Sequence, residues 1–181
     1  MSRDDAIRAA HVGDLPVHDA RITLAEYDPR WPERFEHEAA RIRAALGDRA
    51  LQVEHAGSTS VPGLAAKPIV DIVLAVADSA DEPAYVPALI AAGYDLRIRE
   101  PHWHEHRMLK GGAEDVNLHV FTSGSPEIDR MLAFRDRLRT DTAARERYES
   151  AKRELAARRW HYVQHYADAK SAVIEEILGG D

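Results

Sequence analysis

Apolar residues recur along this chain with two different periods, and the change of period marks the elements. Residues 1–20 show neither period. Charged and small residues alternate there around Gly13 and Pro16, so the stretch reads as an arm or short helix outside the core, with the domain starting near Arg21. Ile22-Thr23-Leu24 reads as a short strand. Tyr27-Asp28-Pro29-Arg30-Trp31-Pro32 turns into a helix, on which Phe35, Ala39, Ile42 and Leu46 make one apolar face before Gly47 stops it. Leu51, Val53 and His55 alternate as a strand, and residues 56–68 form a loop rich in Gly, Ser and Pro. The apolar run 69–76 has the pattern of a central strand covered on both faces. Asp71 interrupts it, and a carboxylate in such a strand needs a partner or a task.

Residues 83–92 read as a helix stopped by Gly93, and residues 94–99 as a strand with one wet face. Met108-Leu109 and residues 116–121 read as two further strands joined by a Lys110-Gly111-Gly112 turn. From Ser125, with Pro126 at the first helical position, the chain reads as helical. One stripe comprises Ala144, Tyr148, Ala151 and Leu155, another Ala169, Val173, Ile174 and Ile177. This order predicts an α/β (α+β) class, a mixed sheet flanked by helices with a helical C-terminal part from about residue 125. The predicted organisation is an arm over 1–20 and one domain over 21–181.

Composition narrows the chemistry. No stretch approaches the roughly 20 apolar residues that cross a bilayer, and the N-terminus is polar and acidic, so a cytoplasmic protein without membrane contact is expected. The absence of cysteine excludes disulfides, thiolate metal sites and a cysteine nucleophile. A net charge of −7 disfavours broad nucleic-acid binding, which needs a basic surface to neutralise phosphates. The C-terminal arginines, among them Arg135, Arg139, Arg145 and Arg153, interleave with Asp and Glu at helical spacings and read as solvated, paired faces.

The loop 56–68 and the strand after it hold the candidate chemistry. Gly57 lets a backbone approach a phosphate closely, Ser58 and Thr59 offer hydroxyls, Ser60 completes the turn, and Lys67 places a point charge on an anionic oxygen. Asp71 is read either as a hard-oxygen ligand for Mg²⁺ or as a structural ion pair with Lys67. His55 and His119 are read either as hydrogen-bonded core imidazoles or, with Asp71, as a His/Asp metal site suited to a transition metal. His102, His104 and His106 follow Pro101 and are expected on a solvated or pocket-edge loop, with Trp103 opposite.

The run Glu54-His55-Ala56-Gly57-Ser58-Thr59-Ser60-Val61-Pro62-Gly63-Leu64-Ala65-Ala66-Lys67-Pro68-Ile69-Val70-Asp71-Ile72 closely resembles the signature of the GrpB (UPF0157) family. The likeness continues in residues 27–32, Asn117-Leu118-His119-Val120-Phe121, Phe134-Arg135-Asp136, Lys152-Arg153-Glu154-Leu155 and Lys170-Ser171-Ala172-Val173-Ile174, spanning roughly 21–178. The resemblance implies a nucleotidyltransferase-like fold, in which a Gly-Ser pair holds a nucleotide triphosphate and the next strand supplies an Asp-x-Asp/Glu metal-binding pair. The sequence departs from that pattern at Val73, where the second carboxylate is expected, and Asn117 and His119 stand where a third would lie. Carried over, the resemblance assigns Asp71 and Lys67 to catalysis and Gly57, Ser58, Thr59, Ser60, Arg107 and Lys170 to phosphate or nucleotide. It places Lys152 over the pocket. The implied ligand is a nucleotide or phosphorylated metabolite with Mg²⁺, or Mn²⁺ or Zn²⁺ in its place, and the implied reaction is nucleotidyl transfer to a small acceptor. The alternatives are a non-catalytic ligand-binding or accessory module and a His/Asp metal-dependent enzyme. Similar domains fused to dephospho-coenzyme A kinase point to a nucleotide-linked or accessory role.

Overall fold

A computed structural model describes residues 1–112 and 115–179 and centres on one five-stranded sheet. Its strands are β1 (Gln52–Ala56), β2 (Val70–Val76), β3 (Asp95–Glu100), β4 (His106–Gly111) and β5 (Val116–Thr122), in the spatial order β1-β2-β5-β4-β3. β2 and β5 run parallel and every other pair is antiparallel, so the sheet is mixed. The apolar pattern of β2 suits its inner place: all of its residues are buried except Asp71. β3 has no fully buried residue and exposes Asp95 and Arg99, as its place at an edge allows.

Each face of the sheet carries its own helices. The helices α2 (Arg30–Leu46) and α3 (Val86–Ala91) cover one, where Ile42, Leu46 and Leu89 meet Ile72, Leu74, Leu118 and Val120. Each such side chain, fully buried, contributes about 1.5–3 kcal/mol. On the opposite face Ala56, Val73, Ala75 and Phe121 meet Ile128 of α4 (Pro126–Thr140). Beyond it, Val61 and Leu64 pack with Leu138, Tyr148 and Ile177, drawing α5 (Thr142–Ala156) and α7 (Ser171–Gly179) over the loop that joins β1 to β2. A shorter helix, α6 (Val163–Ala169), precedes α7.

The N-terminal stretch forms α1 (Arg3–Ala10), capped by Ser2 and Asp5. It is tied down by buried Ile7, the Arg3–Asp168 ion pair at 2.6 Å and a bridge from His11 to Ile98.

Several local expectations need correction. Residues 22–24 are not a strand: Ile22 packs with Ala156 and Tyr166, and the isolated bridges nearby, Ala20 to Trp160 and Ala25 to Ala66, flank them. Leu51 is exposed ahead of β1. The segment 83–92 splits into a 3₁₀ turn (Glu82–Ala84) and α3. Lys110 and Gly111 belong to β4, paired with Asn117 and Val116, and the Tyr94 ring occupies the space a Cβ on Gly111 would need. Gly112, at φ +61°, begins the turn; its next two residues lie outside the described ones. The C-terminal helical run breaks between Ala156 and Val163.

Candidate functional site

The sheet register decides which candidates meet. Asp71 pairs with Ala56 on one side and Asn117 on the other, while Val73 pairs with His119, so Asp71, Asn117 and His119 share the face that α4 covers. Asn117 Nδ2 donates to Asp71 Oδ1 at 3.0 Å, and His119 Nε2 lies 3.2 Å from the same oxygen. Asp71 Oδ2 sits against Gly57, which has φ +67°; any side chain there would collide with the carboxylate. Burial pushes the Asp71 carboxyl upward, but the hydrogen bond and charge of His119, the Asn117 amide and Lys67 outweigh it and hold it below the ordinary carboxylate value.

Three lysines from the loop and the C-terminal helices cluster here, Asp71 acting on Lys67 and Lys170 and Glu149 on Lys152. Lys67 Nζ lies 5.8 Å and Lys170 Nζ 4.5 Å from the centre of the Tyr166 ring. Lys152, only 2 % exposed, donates to the Ala65 carbonyl and lies 5.1 Å from the Tyr148 ring centre. Tyr148 is hydrogen-bonded to Ser58, which joins the Gly57 turn to α5. Burial is the main force on all three ammonium groups. It lowers Lys152 to about 7 and Lys67 to about 8, Lys170 adding repulsion to each, and it lowers Lys170 as well. Two carboxylates, Asp71 and the Glu149 that also pairs with Arg153 at 2.8 Å, face three buried lysines, so the pocket carries more positive charge than it neutralises.

A hydrogen-bonded chain leads from Asp71 to the sheet edge. His119 Nδ1 lies 3.0 Å from His106 Nε2, and His106 Nδ1 lies 2.7 Å from Glu100 Oε2. His106 is buried, stacked on Phe121 and met edge-on by Trp103. Three bonds in series need three protons, and two neutral imidazoles supply two. With both carboxylates ionised, the chain closes only when it holds one further proton. Burial drives His106 toward its neutral form against the pull of Glu100.

The structure separates other expected partners. His55 faces the opposite side of the sheet, with Nε2 3.0 Å from Thr59 Oγ1 and its ring stacked on Phe35, so the trio of His55, Asp71 and His119 is not assembled. Thr59 serves that bond, and Ser60 Oγ donates to the Gly57 carbonyl, which shapes the turn. Arg107 also points away from Asp71: it is buried against Glu82 at 2.5 Å and donates to the carbonyl oxygens of Glu105 and His106. It forms an ion pair with Glu82. His102 and His104 are exposed on the loop after Pro101, whereas His106 leaves that loop for β4. Among the described residues no three His, Asp or Glu side chains gather as a group that could hold a metal ion. Val73, fully buried in the apolar layer with Phe121 and Ile128, fills the position of the missing carboxylate.

Sequence reasoning gave Lys152 little weight and missed Tyr148, Tyr166 and Glu100 as parts of the site. The signal for Lys152 was its spacing: Tyr148, Lys152 and Ala156 recur every four residues and form the buried stripe of α5. The stripe expected through Ala151 is rotated by one position.

The family model described as GrpB protein matches residues 21–179. The chain belongs to the GrpB family. It is 60% identical over 175 residues to a UPF0157 protein of Halalkalibacterium halodurans, covering 97% of this chain and 90% of that one. Its identity to a UPF0157 protein of Streptomyces coelicolor is 50%, over 86% and 82% of the two chains. A dephospho-CoA kinase of Mycolicibacterium paratuberculosis is 32% identical over 83% of this chain but only 43% of its own length. The crystal structure of conserved protein GrpB from Enterococcus faecalis superposes with a TM-score of 0.72 at 33% identity, over 87% of this chain and 95% of that one. The GrpB assignment is consistent with a nucleotidyltransferase-superfamily fold. No helix among the described residues is long and apolar enough to cross a membrane.

Proposed function

We propose that the pocket beneath the Gly57 turn binds the phosphate of a nucleotide or other small phosphorylated metabolite. The observation that carries this reading is the clustering of the buried Lys67, Lys152 and Lys170, with Asp71 acting on Lys67 and Lys170 and only Glu149, itself shared with Arg153, acting on Lys152. Buried ammonium groups in excess of their counter-charge are costly to keep ionised, and an anionic ligand removes that cost. Ser58 adds a hydroxyl at the same turn, and Asp71, fixed by Asn117 and His119, orients the lysines and receives a polar group of the ligand.

The donor set does not suit a resident pair of metal ions. One carboxylate, with one oxygen already engaged by an amide and an imidazole, does not hold two cations at the roughly 3.5–4 Å separation that two-metal phosphoryl transfer uses. A binding or accessory role is therefore the first reading, with Val73 as its observation. Nucleotidyl transfer would need a cation brought in on the ligand's own phosphates.

Calorimetric titration with nucleotides, coenzyme A precursors and sugar phosphates, with and without Mg²⁺, Mn²⁺ and Zn²⁺, tests both readings. Saturable binding that Lys67→Met and Lys170→Met each weaken at least about ten-fold supports the pocket. Unchanged affinity in the double variant refutes it, and a strict requirement for Mg²⁺ lost in Asp71→Ala would favour the transfer reading.

A further inference from the structure

A separate cleft of about 440 Å³ runs along the outer edge of β1, between α2 and the α4–α5 pair, and none of the three pocket lysines lines it. Its wall carries three guanidinium groups whose states differ. Arg135 is neutralised by Glu54 at 2.9 Å and Asp136 at 2.8 Å. Arg139 spends its Nε on the Ser60 carbonyl at 2.9 Å, and Asp136, already engaged by Arg135, lies 3.8 Å away. Arg145 donates to neutral acceptors, the Leu138 carbonyl at 3.2 Å and Thr142 Oγ1 at 3.4 Å. These two arginines are held in place through part of their hydrogen-bonding capacity and keep the rest for a ligand.

The floor of the cleft is flat and apolar. Phe35 stacks on His55 with ring centres 4.9 Å apart and planes inclined by 9°. Burial pushes His55 down to about 4, with Arg139 and Arg135 acting in the same direction, so this imidazole is neutral at physiological pH and offers no charge of its own. Glu36 is exposed in the same cleft, and Glu54 is committed to Arg135. A concave wall with two positioned guanidinium groups beside an aromatic stack matches an oxyanion attached to a flat ring.

We infer that this cleft is a second ligand site, in which Arg139 and Arg145 grip the phosphate or carboxylate of a small ring-bearing anion while its ring lies against Phe35. The inference does not depend on the lysine pocket. The two sites nevertheless share backbone: Arg139 holds Ser60, His55 holds Thr59, and the neighbouring Ser58 reaches Tyr148.

The test is a titration of the full chain with phenyl phosphate, and in parallel benzoate, followed through the arginine Nε–H and histidine ring NMR signals. Saturable shifts of Arg139, Arg145 and His55 are expected, and Arg145→Gln and Arg139→Gln should each weaken binding at least about ten-fold. The same shifts should persist in a Lys67→Met, Lys170→Met variant. If Arg139→Gln disturbs the Ser60 turn, Arg145→Gln alone decides, since its partners are a helix-end carbonyl and a threonine. Shifts confined to the lysine pocket, shifts unaffected by Arg145→Gln, or no saturation at about 10 mM ligand would each overturn the assignment. Response to phenyl phosphate but not benzoate would identify the oxyanion as phosphate.

Discussion

Anion binding in the lysine pocket must be accompanied by proton uptake. At pH 7.5, ammonium groups lowered to about 8 and about 7 are roughly three-quarters and one-quarter protonated, so Lys67 and Lys152 together carry about one charge instead of two. A dianion that restores both to the charged form draws in about one proton per site, and Lys170 can only add to this. At pH 6 both groups are already almost fully protonated, and the uptake falls to roughly a tenth of a proton. By linkage the affinity drops about ten-fold per pH unit near pH 7.5 and flattens toward pH 6.

Sulfate is the suitable probe because it is a dianion that does not titrate in this range. The observed binding enthalpy, plotted against the ionisation enthalpy of the buffer, has the number of protons exchanged as its slope. Lys152→Met should remove about three-quarters of the uptake at pH 7.5 and Lys67→Met about one-quarter. The same substitution at Lys152 should stabilise the free protein at low pH. A folded-state value near 7 against an ordinary 10.5 means the folded protein bears the full charging cost, of order 3–5 kcal/mol, below about pH 7, and sheds it as pH rises toward 10.5. Sulfate binding with no buffer-dependent enthalpy, or an uptake identical in Lys152→Met, would refute the reasoning.

Other consequences can be checked separately. Gly57→Ala places a Cβ against Asp71 at a positive φ and should cost about 2 kcal/mol or more, a fall of roughly 4–8 °C in Tm by calorimetry. Arg107→Ala should cost about 2–4 kcal/mol in urea unfolding while leaving sulfate affinity unchanged, because this arginine serves Glu82. Glu82, held down at about 2 first by Arg99 and then by Arg107, contributes stability that is present above pH 4.5 and lost as pH falls toward 2; Arg107→Ala should shrink that acid limb. In ¹⁵N spectra of the imidazoles, His106 should show one protonated nitrogen. Two singly protonated rings would mean that the Glu100–Asp71 chain is interrupted.

Period and punctuation carried the main architecture: α2 ends at Gly47 as its spacing requires, and the apolar run around Asp71 became the inner strand β2. What a period cannot supply is which face of one strand meets which face of another. His55 and Asp71 are equivalent candidates in the sequence, yet the antiparallel pairing of His55 with Ile72 puts them on opposite sides of the sheet. Arg107 and His106 show the same limit from adjacent positions, one reaching Glu82 and the other His119. Ile22 misled because a buried side chain beside a helix end resembles one position of a strand when only three residues are available.

Val73 has a physical consequence for the whole pocket. Replacing a carboxylate by an isopropyl group in the layer of Phe121 and Ile128 removes a negative charge from a site whose remaining cations are themselves buried. Two carboxylates would balance part of the three lysines and would call for metal ions when a phosphate arrives. In the proposed reading, Asp71 alone leaves Lys67 and Lys170 to meet a phosphate directly. Restoring the acid with Val73→Asp therefore makes an informative reversal: the new charge, on the same face as Asp71, should raise Lys67 toward its ordinary value and remove its share of the proton uptake. It should also weaken sulfate binding in the absence of a divalent cation and let Mg²⁺ rescue it. Because Val73 is fully buried, the variant should lose about 3 kcal/mol or more of stability, so the comparison is made at a temperature where its near-ultraviolet circular dichroism matches the parent. If Val73→Asp folds and binds sulfate as tightly as the parent without Mg²⁺, charge balance is not what this pocket is built on.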